Sequence, residues 1–111
     1  MFPETSIPHK VTHYRLTQGI RDADDNLTFN KTRMFSDRPA RKYRDAGIEA
    51  TFARQGITVN AMIAFKFHDG DDVRKEDVLE LDGQQYDVIY PKRMDLGNRP
   101  SHWEIAVRDS E

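Results

Sequence analysis

The chain has 111 residues, 37% hydrophobic and 32% charged, with six Phe, four Tyr and one Trp; that suits one domain with a modest core and argues against a disordered chain. With no cysteine, a disulfide scaffold and a thiolate metal site are both excluded. A formal net charge of −2 gives no global reason to bind nucleic acid, and no stretch approaches the ~18 apolar residues of a membrane span, nor do residues 1–10 carry the apolar run of a secretion signal.

Residues 10–17 read as a first strand of weak parity, because Val11 falls on one face and Tyr14 and Leu16 on the other; a bulge would reconcile them. An acidic turn follows at Asp22, Asp24 and Asp25, then a second strand over residues 27–35. Residues 35–44 form the longest irregular stretch and are expected to be a loop. Lys31, Arg33, Arg38, Arg41, Lys42 and Arg44 crowd this region against a single acid, Asp37. Residues 45–55 are the one helix candidate: Asp45 can cap it, Ile48 and Phe52 sit four apart, and Gly56 can end it.

Residues 57–68 carry the clearest signal. Ile57, Val59, Ala61, Ile63, Phe65 and Phe67 alternate with mostly polar neighbours, which predicts a strand with one dry and one wet face. The run His68-Asp69-Gly70-Asp71-Asp72 ends it with turn chemistry. Asp82-Gly83 then predicts a two-residue hairpin in which Leu81 faces Gln84 and Leu79 faces Tyr86. Its core face reads Leu79, Leu81, Tyr86, Val88 and Tyr90, with Pro91 expected to limit further pairing soon afterwards. A turn-rich connection over residues 94–100 leads to a last strand, residues 102–108, with Trp103, Ile105 and Val107 inward. Trp103, Tyr86 and Tyr90 are all expected in the core. The whole is a single domain, residues 1–111, mainly β: a small barrel or sandwich of five to six antiparallel strands, with one short helix and a long basic loop.

Catalytic chemistry finds little support. The chain has no phosphate-cradling glycine motif and no nucleophile elbow. His9 and His13 fall on one strand face, yet two imidazoles need a third ligand that only His68 or His102 could bring. The Asp22 and Asp69 clusters lack the closing glutamate of a calcium loop and read as solvated turns. Glu76 and Asp77 read as a plain turn before a strand. No enzyme activity, metal or cofactor is expected. The basic stretch is the one candidate site, either a solvated loop or a docking or DNA-facing arm, and arginine forks suit carboxylate and phosphate alike. Replacing Arg38, Arg41 and Lys42 by alanine is expected to leave folding almost untouched, within about 0.5 kcal/mol.

The order of elements from Gly47 onward is itself informative. Gly47-Ile48-Glu49 opens the helical stretch, the alternating strand follows, and Asp77, Leu79, Gly83, Tyr86 and Val88 fit a "D-x-[IVL]-x-x-x-G-x-x-Y-x-[IV]" hairpin before Trp103-Glu104-Ile105. This succession resembles the head–tail joining (head closure, or head–tail adaptor) proteins of tailed bacteriophages and prophages. The resemblance spans residues 47–107, with looser agreement over residues 10–16. The tryptophan and small-residue strand of that family are missing near residues 30–35. The resemblance implies a compact barrel without catalytic residues, free as a monomer or assembled in a dodecameric ring in the virion. Its neighbours would be a portal-side adaptor and tail-completion proteins, near packaged DNA and away from any membrane, after synthesis in the host cytoplasm. Lys31, Arg33, Arg38, Arg41, Lys42 and Arg44 would then face a neighbouring subunit, the adaptor or the DNA channel. A small barrel that binds nucleic acid through residues 31–44 is the alternative.

Overall fold

The structure, a computed structural model, describes residues 9–21 and 27–110. The acidic turn at Asp22, Asp24 and Asp25 and the first eight residues lie outside that description. Six strands and one helix follow in the order β1 (His9–Arg21), β2 (Leu27–Tyr43), α1 (Ala46–Ala53), β3 (Ala61–Lys66), β4 (Val78–Leu81), β5 (Gln84–Leu96) and β6 (Arg99–Asp109). All pairings are antiparallel, and the strands close into a barrel in the order β1-β2-β3-β6-β5-β4. The expected barrel with one short helix is therefore present.

Alternation supplies the interior. Val11, Ala40, Ala61, Ile63, Phe65, Leu79, Leu81, Tyr86, Val88, Trp103, Ile105 and Val107 form one buried cluster, joined by Val73 from the β3–β4 loop. Burying each large apolar side chain here stabilises by roughly 1.5–3 kcal/mol. The Asp82-Gly83 turn has φ of 51° and 83°, the doubly positive pattern of a type I′ turn. The register it sets is the expected one, Leu81 opposite Gln84 and Leu79 opposite Tyr86.

Helix α1 begins where Asp45 accepts the Ile48 amide at 3.1 Å and ends at Ala53, earlier than expected, with Arg54 as its C-cap and a turn that closes at Gly56, φ 77°. It lies on the outside of the barrel, where Ile48 and Phe52 pack with Tyr43, Val59, Met62, Ile89 and Ala106 in a second, smaller cluster. That placement corrects the half-wet reading of residues 57–68. Ordered strand is confined to Ala61–Lys66, and both of its faces are buried, because Met62 faces the helix cluster instead of water.

Five other expectations are overturned. The long basic loop does not exist: residues 35–43 continue β2, which runs for 17 residues. The turn chemistry of Ser36-Asp37 appears as a bulge, with Asp37 at φ 54° and its amide bonded to Thr12 Oγ1 at 3.2 Å. The irregularity expected in the first strand thus sits mainly on its partner: from Val11↔Arg38 to His13↔Phe35 to Tyr14↔Arg33, β2 uses the extra residues. Tyr90 is 43% exposed, since a register shift between Val88 and Tyr90 flips it outward. Pro91 does not stop β5, which stays paired with β6 as far as Leu96↔Arg99. β4 pairs with β5 only through Asp87, so Pro91 lies on an edge where a missing donor is tolerated. The turn-rich connection shrinks accordingly to Gly97-Asn98, with Gly97 at φ 64°.

Candidate functional site

Two hairpins outgrow the barrel. β1 is flanked by β4 only from Val11 to Tyr14, and β2 by β3 only from Ala40 to Tyr43. Beyond these points β1 and β2 pair, among the described residues, only with each other, as far as Arg21↔Leu27, making a two-stranded arm that reaches about 20 Å past the wall. The molecule is accordingly elongated, 51 × 33 × 28 Å. Tyr14 stands opposite Arg33 and Leu16 opposite Lys31, so these four share one face of the arm. Lys31 Nζ lies 4.1 Å from the centre of the Tyr14 ring. Leu16 is 44% exposed and Met34 45%.

The arm is pinned at its root by the β3–β4 loop, residues 67–77. Asp77 Oδ2 accepts His13 Nε2 at 2.7 Å, Arg15 Nη2 at 3.0 Å and the Arg74 amide at 2.9 Å, while Oδ1 accepts Arg15 Nε at 3.2 Å. Arg15 also reaches the Asp72 carbonyl. Asp71 Oδ2 accepts Arg38 Nη1 at 2.7 Å, the His68 amide at 2.8 Å and Trp103 Nε1 at 3.4 Å. His13 and Asp77 are buried. Burial pushes the His13 pKa below its usual value, against the pull of Asp77, so it serves as a neutral donor. Burial alone would raise Asp77, but the bonds from Arg15, the Arg74 amide and His13 hold it below the ordinary carboxylate value. Asp71 behaves likewise: burial raises it, and Arg38, the His68 amide and Trp103 outweigh that. Two ionised aspartates thus tie both strands of the arm to one loop.

The six basic candidates do not gather into one patch. A strand rises about 3.3 Å per residue, so residues 31–43 are strung out along β2. Lys31 and Arg33 remain exposed on the arm. Arg38 is ion-paired with Asp71 and stacks 3.8 Å over Phe35. Its loss therefore strips a buried carboxylate of its cation, which corrects the expectation that replacing it would be silent. Arg41 lies 5.5 Å over the Tyr43 ring. Lys42 Nζ donates to Tyr86 Oη at 3.0 Å, which raises its pKa, and Arg44 pairs with Glu49 at the start of α1. The Tyr43 phenol, pushed up by burial and by its 2.7 Å bond to Glu104, stays protonated.

His9 pairs with Asp82 and His13 with Asp77, so each imidazole of that strand face has its own carboxylate. Among the described residues no three His, Asp or Glu side chains are grouped as metal ligands, and no helix is long and apolar enough to cross a membrane. The plain-turn reading of Asp77 missed the anchor. Its signal was nevertheless legible: His13 shares the parity of Val11, and an imidazole facing a core needs a partner.

The fold defines the class as a closed, six-stranded antiparallel barrel with projecting hairpins. Among solved structures it is similar to the phage-like element PBSX protein xkdH from Bacillus subtilis, with a TM-score of 0.54, 14% sequence identity, and coverage of 91% of this chain and 92% of that one. At that identity the common property is the fold. No protein-family model matches the sequence, and no curated protein does.

Proposed function

We propose that this chain is a structural head–tail joining protein of a tailed phage or prophage. Copies form a ring between the portal-side adaptor and the tail and close the DNA-filled head, with no catalysis involved. The observation that carries the reading is the β1–β2 arm, a rigidly rooted two-stranded extension on which Leu16, Lys31 and Arg33 lie beyond the last residue paired with β4 or β3 among the described residues, next to Tyr14 at its root. A barrel that needed only to fold would gain nothing from it, and a partner surface accounts for both its exposed apolar groups and its cations. The shared fold with a protein of a phage-like element and the sequence resemblance over residues 47–107 support the same role. In the virion the barrel would sit at the connector, and in the host cytoplasm before assembly.

The test is to mix the purified protein with portal–adaptor complexes and tails of the cognate phage, and to count joined particles by electron microscopy. The double variant Lys31→Glu/Arg33→Glu should fold normally and lose joining. Wild-type joining by that variant would remove the arm from the mechanism. A protein that never joins particles, yet retards plain DNA on a gel with steep salt dependence, would instead be a nucleic-acid-binding barrel.

A further inference from the structure

The outer face of the barrel carries a recess that the chain itself leaves half covered. Ile48 and Phe52 of α1, Met62 of β3 and Tyr90 of β5 line a cavity of about 490 Å³. Phe52 and Tyr90 have ring centres 6.0 Å apart, and no residue of α1 is fully buried. The rim holds two carboxylates, Asp45 and Glu104, against one ammonium, Lys92. A matching projection exists elsewhere on the molecule. The β5–β6 turn presents Leu96, 78% exposed, flanked by two guanidinium groups, Arg93 and Arg99, against one carboxylate, Asp95. Leu96 lies six residues along β5 from Tyr90, roughly 20 Å in extended chain, so the tip cannot fold back into its own recess.

We infer that Leu96 of one copy seats in the α1 recess of the next copy, between Phe52 and Tyr90. The partner is a second copy because the two surfaces are complementary in both respects: an apolar knob for an apolar recess, and surplus arginine for surplus carboxylate, where forked guanidinium bonds are strongest. Knob and recess are different surfaces of one chain, so the contact is head-to-tail and repeats from copy to copy until the rotation closes a ring. The inference deepens the assembly role proposed above, and rests on it, by naming which surfaces meet between subunits.

The absence of native cysteine makes a direct test available. Thr51 is exposed on the recess wall, so the double variant Leu96→Cys/Thr51→Cys should give, on mild oxidation of the concentrated protein, a ladder of disulfide-linked species extending beyond dimer. Either single variant should stop at dimer. Loss of every band above dimer in the double variant overturns the contact. Joining of heads to tails by the wild-type protein is scored separately. Joining without a ladder removes the contact and leaves the assembly role, whereas a ladder without joining leaves the contact and removes the role.

Discussion

Phe65 and Leu16 are both large apolar residues on strands, and the protein treats them in opposite ways. Phe65 lies inside the barrel, walled by all six strands and edge-on to Phe35 at 5.3 Å. Leu16 lies on the arm, nearly half in water, opposite Lys31. The barrel wall accounts for its own composition, since every inward position there is satisfied by burial. The arm and the β5–β6 tip do not, because the fold leaves Leu16 and Met34 nearly half exposed and Leu96 78% exposed. The difference separates residues whose burial stabilises the fold from residues that the fold leaves in water.

The contrast can be broken by measurement. Phe65→Ala should cost about 3–5 kcal/mol in urea unfolding, through lost transfer energy and the cavity left behind, while Leu16→Ala should stay within about 0.5 kcal/mol. Equal costs would mean that the arm belongs to the core after all. Asp77→Ala should cost about 3 kcal/mol by leaving Arg15 and His13 without their carboxylate, and amide exchange should then accelerate in β1 and β2 more than in β6. Arg38→Ala should cost about 2 kcal/mol, because Asp71 keeps its backbone and indole donors but loses its cation; Lys31→Ala, on the same strand, should be silent in the same melt.

Acid should act on the root and not on the tip. Asp71 and Asp77 are held below the ordinary value of 3.8, so the stability they contribute is present above that pH and lost as pH falls through their folded values. His13 is held below 6.5, so its contribution is present above 6.5 and declines as pH drops and the unfolded chain takes up the proton. Thermal melts should therefore weaken gently below pH 6.5 and steeply below about pH 4. His13→Gln should remove the first decline and leave the second. A His13→Gln profile that still falls between pH 6.5 and 5 would place that titration elsewhere.

Much of the barrel was legible in the sequence because alternation and turn dipeptides are local. The register around Gly83, the inward set on β6 and the Asp45 cap follow from residues a few positions apart. What was hidden depended on residues far apart in the chain. Residues 35–43 look like a loop because Ser36, Asp37 and Pro39 are turn formers; they form a strand because β1 and β3 supply partners on either side. Tyr90 has inward parity until the bulge after Val88 reverses it. The six cations are close in sequence but not in space, because an extended strand separates what a loop would have gathered. The Asp77 anchor needed His13 and Arg15, more than sixty positions earlier.

Pro91 bears on how the protein behaves at high copy number. Past Val88 one side of β5 pairs with no other strand among the described residues, and a bare strand of that length is an invitation to fibre growth. An imino acid there, followed by Lys92 and Arg93, denies an incoming chain both a hydrogen-bond donor and an uncharged template. The edge most open to stacking in amyloid fashion thus carries its own obstacle to it.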